Sequence, residues 1–130
     1  MLVAMNNNKT EKRKIGDRGE AIAAEHLKAK GYEIIARNFR CKAGELDIVA
    51  RLGDVLCFAE VKTRRPAGGY AYGRPCEAVD WKKQRRLLTA AGVFVRLNPR
   101  LAGLQPRMDV IEVELMGQAA KVTHIESAFS

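Results

Sequence analysis

Hydrophobic and polar positions divide the chain into alternating helix-like and strand-like segments. From about Thr10 to Lys30 apolar residues recur at helical spacing, and Gly31 ends this predicted helix. Residues 32–40 are rich in β-branched and aromatic residues and predict a first strand. A second helix is predicted from about Pro75 to Leu97, and two further strands at residues 108–115 and 121–127, the last of them at an edge.

The stretch from Gly44 to Arg65 predicts two central strands joined by a turn at residues 52–54. Because side chains alternate along a strand, each of these strands presents two faces, and both faces are largely apolar. This pattern is typical of strands buried on both sides. In the first strand Leu46, Ile48 and Ala50 share one face, opposite Glu45, Asp47 and Val49; in the second Val55, Cys57, Ala59 and Val61 share one face, opposite Leu56, Phe58, Glu60 and Lys62.

The two helices are predicted to cover this sheet. The element order α-β-β-β-α-β-β predicts an α/β fold in which a mixed central sheet of about five strands is flanked by helices. Glu20 lies at the border of the apolar stripe of the first helix. The core candidates are Ile15, Gly19, Ile22, Ala23 and Leu27 in the first helix and Val79, Leu87, Ala90, Ala91 and Phe94 in the second.

Length and composition predict one globular domain. A chain of 130 residues with 47% hydrophobic and 29% charged residues has the size and balance of a single soluble domain. We assign residues 15–130 to this domain and residues 1–14 to a flexible basic tail. The sequence has no apolar run of roughly 18 residues, and its opening MLVAM is too short for a signal peptide, so no membrane association and a cytoplasmic location are expected.

The formal net charge of +8 indicates a polyanionic partner, most often nucleic acid. The cysteines at positions 41, 57 and 76 show neither a disulfide framework nor zinc-ligand spacing, and we interpret them as small buried or half-buried thiols. Asp109 lies inside an apolar strand, where we expect it to pair with a nearby basic residue.

The charged side chains in the two central strands are the candidate catalytic and metal-binding groups. An unpaired buried charge would cost several kcal/mol, roughly, so these groups must be paired, hydrated or bound to a metal. Glu45, Asp47 and Glu60 offer the oxygen ligands that Mg²⁺ or Mn²⁺ prefers, which is a set suited to phosphodiester hydrolysis. Lys62 would orient the attacking water or neutralise the phosphoryl oxygens. Enzymes lower barriers by at least about 8 kcal/mol and one positioned donor supplies about 3–4, so a catalyst here is expected to need the metal.

Four segments of the sequence carry a family resemblance: GDRGEAIAAEHLKAKGYEIIARNFRCKAGELDIVA, FAEVKTRR, YGRPCEAVDWKKQRRLLTAAGVFV and PRMDVIEVEL. Together they span about Gly16 to Leu115. In these segments the chain resembles the restriction-endonuclease-like PD-(D/E)xK nuclease superfamily and, more narrowly, the YraN-like family of small bacterial proteins.

The resemblance implies a nuclease core, a Mg²⁺ (or Mn²⁺) cofactor and a set of site residues. Asp47 matches the aspartate of the first half of the superfamily motif, and Glu60 and Lys62 match its E-x-K half. Glu20 matches the helix carboxylate of the Holliday-junction-resolvase-like relatives. Leu46 stands where the motif often has proline. The catalytic candidates are therefore Asp47, Glu60, Lys62 and Glu20, and the metal-ligand candidates are Asp47, Glu60, Glu20 and Glu45.

Basic and aromatic residues around these positions suit a nucleic-acid interface. Arg64 and Arg65 leave the second central strand, and Lys83 and Arg86 lie on the second helix, where their charges can contact phosphates. Tyr70 and Tyr72 can stack on bases. The partner is expected to be DNA, and a homodimer would suit symmetric cutting of a branched duplex.

Three functions are consistent with the sequence. The first is a Mg²⁺-dependent DNA endonuclease acting on branched or structured DNA in repair or recombination. The second is a catalytically silent nucleic-acid-binding module of the same fold. The third is a basic scaffold for protein partners, which would show neither DNA affinity nor a steep salt dependence.

Overall fold

A computed structural model of the chain describes residues 10–65 and 80–130. It contains helix α1 (Glu11–Ala29), strands β1 (Glu33–Cys41), β2 (Gly44–Leu52) and β3 (Val55–Arg64), helix α2 (Trp81–Leu97), a short 3-10 helix (Pro99–Leu101), and strands β4 (Gln105–Met116) and β5 (Ala119–Phe129). The predicted order of elements and the α/β class are confirmed. Residues 11–14 belong to α1, and residues 1–9 of the predicted tail lie outside the described residues.

The strands form one sheet in the order β1-β2-β3-β4-β5. Strands β3 and β4 run parallel, and the other neighbouring pairs are antiparallel. The connection between the parallel strands passes through α2, as parallel neighbours require. Strand β5 lies at an edge, as predicted.

Each helix covers one face of the sheet. In β3, Leu56 and Phe58 belong to the core cluster that contains α2, whereas Cys57 and Ala59 belong to the cluster that contains α1. This alternation confirms the predicted burial of β3 on both faces. The α1 cluster includes Ala23, Ala24 and Leu27, and the α2 cluster includes Leu87, Ala90, Ala91 and Phe94.

The predicted faces of β2 are wrong at one position. Leu46 lies in the α2 cluster with Val49, whereas Ile48 and Ala50 lie in the α1 cluster, so the alternation breaks at Asp47. The break coincides with Asn38 of β1, which has a positive φ of 55° between the paired positions 37 and 39. Asparagine tolerates this left-handed conformation better than most residues. The change of face in β2 therefore lies at one of the candidate acids, Asp47.

Side-chain caps fix where both helices begin. The Thr10 hydroxyl accepts a hydrogen bond from the Arg13 amide at 3.1 Å, and the Asp80 carboxylate accepts one from the Lys83 amide at 2.8 Å. Helix α2 therefore begins at Trp81, later than the predicted Pro75, and residues 75–79, including the core candidate Val79, lie outside the described residues. Within the described ranges, neither helix is long and apolar enough to cross a membrane.

Gly19 lets α1 approach β3 closely. A Cβ atom built on Gly19 would lie 1.8 Å from Oγ1 and 2.7 Å from Cβ of Thr63, distances at which backbone or side chain must shift. Gly16, one turn earlier in α1, has nothing within 4 Å of such an atom. The glycine at position 19 thus sets the distance between the sheet and the turn of α1 that carries Glu20.

Replacing Gly19 by alanine is expected to lower the free energy of unfolding by about 1–3 kcal/mol, because overpacking outweighs the gain in helix propensity. Gly16→Ala is the matched control and is expected to raise stability by up to about 1 kcal/mol. Urea unfolding of both variants measures the difference. Equal effects of the two substitutions would contradict the close approach.

Candidate active site

Strands β2 and β3 separate at Asp47. Their backbone pairing runs from Leu52↔Val55 to Ile48↔Ala59. Beyond this point the Val61 amide donates its hydrogen bond to Oδ2 of Asp47, at 2.9 Å, so a side chain takes the place of a strand partner. Asp47 therefore lies in the opening between the two strands, within reach of groups from both faces of the sheet.

Acidic neighbours crowd around Asp47. Burial raises the pKa of Asp47 to about 7, the charge of Glu60 adds to this rise, and Glu20 and Glu45 contribute smaller increments. The hydrogen bond from the Val61 amide acts in the opposite direction. Carboxylates predicted from three separate segments thus influence one another electrostatically.

Two lysines contact Glu60, which is only 7% exposed. The Nζ atom of Lys83 lies 2.8 Å from Oε1 of Glu60, and the Nζ atom of Lys62 lies 3.5 Å from the same oxygen. Burial and the adjacent Lys83 lower the pKa of Lys62. For Lys83, burial lowers the pKa but hydrogen bonds to Glu60 and Lys62 outweigh it, so the pKa rises. Lys83, predicted as a phosphate contact on the helix surface, is thus in contact with the E-x-K pair.

Glu20 and Glu45 line a neighbouring cleft of about 490 Å³. Burial raises the pKa of Glu20, and Arg37 counteracts part of this rise. Glu45 is 40% exposed and forms an ion pair with Arg40 at 3.5 Å. Of the two, Glu20 lies in the more desolvated position, and Glu45 already has a cationic partner.

Arg64, Arg65 and Arg86 are the remaining predicted nucleic-acid contacts that the structure describes. Arg65 and Arg86 are exposed, and Arg86 packs beside Gly44 at the start of β2. Arg64 is half-buried, and its charge lowers the pKa of Glu112 against the larger effect of burial. Tyr70 and Tyr72 lie outside the described residues.

The donor chemistry of the opening fits a hard divalent cation. Carboxylate oxygens are the ligands that Mg²⁺ and Mn²⁺ prefer, and a cation would relieve the repulsion that raises the pKa of Asp47. The side chains are not drawn together around one point: in the described part of the chain, the only Cys, Asp, Glu and His side chains that place three ligand atoms within 4.8 Å of one another are Cys57, Asp109 and His124. A cation shared by Asp47 and Glu60 would have to draw their carboxylates towards it.

Comparison with known proteins assigns the chain to a family. Residues 19–113 match the family described as Uncharacterised protein family UPF0102. The chain belongs to this family. It is 43% identical over 115 residues to a UPF0102 protein of Alkaliphilus metalliredigens, covering 88% of this chain and 96% of that protein. It is 41% identical over 124 residues to one of Caldanaerobacter subterraneus, covering 93% and 98%. The predicted YraN-like family is thereby confirmed.

A second polar cluster in this UPF0102 protein centres on Asp109, which is fully buried. Its carboxylate accepts hydrogen bonds from the Arg107 guanidinium at 2.8 Å, from Nε2 of His124 at 2.7 Å and from the Cys57 thiol at 3.1 Å. The Ser127 amide donates a further bond at 3.1 Å. The basic partner predicted for Asp109 is thus Arg107.

We interpret this cluster as structural, although its three ligand atoms lie close together. The Arg107 guanidinium already supplies the cation, and the hydrogen bonds from His124, Arg107 and Cys57 hold the pKa of Asp109 well below its usual range against the opposing effect of burial. Burial raises the pKa of the Cys57 thiol, which therefore stays protonated and is a poor metal ligand. Sequence spacing gave no signal for the cluster, because its members come from three different strands.

The raised pKa of Asp47 predicts an unusual pH dependence of stability for this UPF0102 protein. The folded state holds this proton up to about pH 7, whereas the ordinary value is 3.8, so folded protein binds more protons over this range and stability falls as pH rises through it. In metal-free buffer, Asp47→Asn is expected to raise the free energy of unfolding by roughly 1–3 kcal/mol more at pH 8 than at pH 5.

Denaturant unfolding at the two pH values measures this effect. Asp54→Asn, at an exposed aspartate in the β2–β3 turn, is the matched control and is expected to show no such difference. An Asp47→Asn effect of the same size at pH 5 and pH 8 would show that the carboxylate is not crowded.

Proposed function

We propose that this chain is a metal-dependent endonuclease of the PD-(D/E)xK superfamily that hydrolyses phosphodiester bonds in DNA. The observation that carries the proposal is the opening between β2 and β3, where Asp47 accepts the Val61 amide hydrogen bond and lies beside Glu60. The two halves of the motif predicted from the sequence are thus adjacent in the fold. The proposed substrate is branched or otherwise structured DNA in the cytoplasm.

Each residue of the opening has a distinct proposed role. Asp47 and Glu60 would hold Mg²⁺ or Mn²⁺, with Glu20 and Glu45 contributing to the negative field from the side of α1 and β2. When bound, the cation would polarise the phosphate and lower the pKa of a water. Lys62 lies beside Glu60, and burial together with Lys83 lowers its pKa, so it can orient the attacking water or neutralise the phosphoryl oxygens.

Basic residues support a nucleic-acid substrate. The half-buried Arg64 ends β3 and the exposed Arg65 follows it, whereas the exposed Arg86 lies on α2 beside the start of β2. In a chain with a net charge of +8, such residues would hold the phosphate backbone while the acids act on one linkage. Tyr70 and Tyr72 remain proposed base-stacking residues.

A silent nucleic-acid-binding module is the second candidate, and one observation favours it. Glu60 already has two lysine partners, so the E-x-K pair can be neutral without a metal. Such a protein would bind DNA with the salt dependence of several phosphate contacts and would cleave nothing. Cleavage assays separate the two functions.

The test incubates the purified protein with Mn²⁺ and a panel of duplex, single-stranded, flap and four-way DNA substrates. Cleavage of at least one structured substrate is expected. Glu60→Gln and Lys62→Met are each expected to lower the cleavage rate by at least about 10²-fold while DNA binding stays largely intact. Glu25→Gln, at an exposed position of α1, is the matched control and is expected to cleave like the wild type.

Two results would contradict the nuclease assignment. Binding without cleavage by the wild type would favour the silent module. Cleavage that survives both Glu60→Gln and Lys62→Met would place the chemistry outside the opening between β2 and β3.

A further inference from the structure

We infer that Lys83 couples the binding of a divalent cation at Glu60 to the binding of a polyanion. In the free protein, Lys83 occupies the carboxylate that the cation needs; when a phosphate backbone arrives, Lys83 moves to a phosphate and releases Glu60. This inference rests on the proposed function and adds a positioning role for a residue of α2.

The contact between Lys83 and Glu60 is the first observation. Its 2.8 Å separation is shorter than the 3.5 Å between Lys62 and the same Oε1 atom, so Lys83 is the closer cation. Glu60 is buried with an exposed fraction of 7%, whereas the Lys83 side chain is 36% exposed. The lysine can therefore leave towards solvent, whereas the glutamate cannot follow it.

The position of Lys83 on α2 is the second observation. The Asp80 cap fixes the Lys83 amide in the first turn of the helix, so the backbone is anchored and the long side chain alone has to move. Arg86, exposed and one turn later on the same helix, is a second cation that the same phosphate strand could contact. A swing of Lys83 away from Glu60 would thus bring it towards a basic surface that attracts phosphates.

Competition for one carboxylate has a thermodynamic consequence. If Lys83 and the divalent cation exclude each other at Glu60, a ligand that draws Lys83 away must strengthen cation binding, and the cation must strengthen binding of that ligand by the same factor. The free protein would then bind the metal weakly, and the site would become complete only on the substrate.

The test measures Mn²⁺ binding by calorimetry, which does not depend on turnover. Without DNA, Lys83→Met is expected to bind Mn²⁺ about tenfold more tightly than the wild type, because the competing charge is gone. A cleavage-resistant phosphorothioate four-way junction is expected to tighten Mn²⁺ binding by the wild type by a similar factor and to have little effect on Lys83→Met. A junction with uncharged methylphosphonate linkages is expected to leave wild-type Mn²⁺ binding unchanged.

Three further variants make the result specific. Lys82→Met removes the same charge from an exposed neighbour in α2 and is expected to change Mn²⁺ affinity by less than about twofold, since exposed charges are screened. Lys83→Arg keeps a cation at the position and is expected to behave like the wild type. Asp47→Asn is expected to weaken Mn²⁺ binding in every case.

The outcomes separate the role of Lys83 from the proposed nuclease site. Equal or weaker Mn²⁺ binding by Lys83→Met, with binding still lost in Asp47→Asn, would overturn the role of Lys83 and leave the proposed nuclease site standing. If Lys82→Met also binds Mn²⁺ more tightly than the wild type, loss of any nearby positive charge explains the change. The specific role of the Lys83–Glu60 contact would then be overturned. No Mn²⁺ binding by any variant would overturn both.

Discussion

The hydrogen bond from the Val61 amide to the Asp47 carboxylate is the contact on which the candidate site depends. By accepting this bond, Asp47 replaces a backbone partner where β2 leaves β3, and the two strands open. A buried carboxylate in a continuous ladder would have no room for a ligand. Here the break in pairing leaves the carboxylate bonded to the Val61 amide, where the charges of Glu60, Glu20 and Glu45 act on it.

The two aspartates of the sheet, Asp47 and Asp109, lie in opposite electrostatic environments. Burial together with Glu60 raises the pKa of Asp47 to about 7, whereas the buried Asp109 has its pKa lowered because Arg107 and other donors surround it. Two aspartates of one sheet thus have pKa values shifted in opposite directions. Asp109 is satisfied by its partners and holds elements together, whereas burial and the neighbouring carboxylates outweigh the one hydrogen bond that lowers the pKa of Asp47. Perturbed acids of the second kind are the ones that functional sites tend to keep.

The sequence predicts most of the fold because its strongest signals are periodic. The two-sided apolar pattern of β3 and the stripe of α1 depend on neighbours close in the chain, so these elements and their faces follow from spacing. The face of Leu46 does not follow from spacing, because the alternation of β2 breaks at Asp47, beside the left-handed Asn38 of β1. The start of α2 depends on the Asp80 side chain, which caps the helix after the proline that the pattern favoured.

The motif residues of the candidate site are predictable from the sequence, whereas the contact of Lys83 with Glu60 is not. The motif spacing selects Asp47, Glu60 and Lys62, and the fold brings them close enough to influence one another's pKa. The contact of Lys83 with Glu60 could not be foreseen, because it depends on how α2 crosses the sheet. The cluster of Cys57, Asp109 and His124 likewise depends on strand register alone.

The most direct measurement is a crystal structure of the protein grown with Mn²⁺ and recorded at a wavelength where manganese scatters anomalously. The account predicts an anomalous peak in the opening between β2 and β3, within bonding distance of both the Asp47 and the Glu60 carboxylates. A peak at Asp109 and His124 instead, or Asp47 and Glu60 both ordered with no peak between them at saturating Mn²⁺, would contradict it.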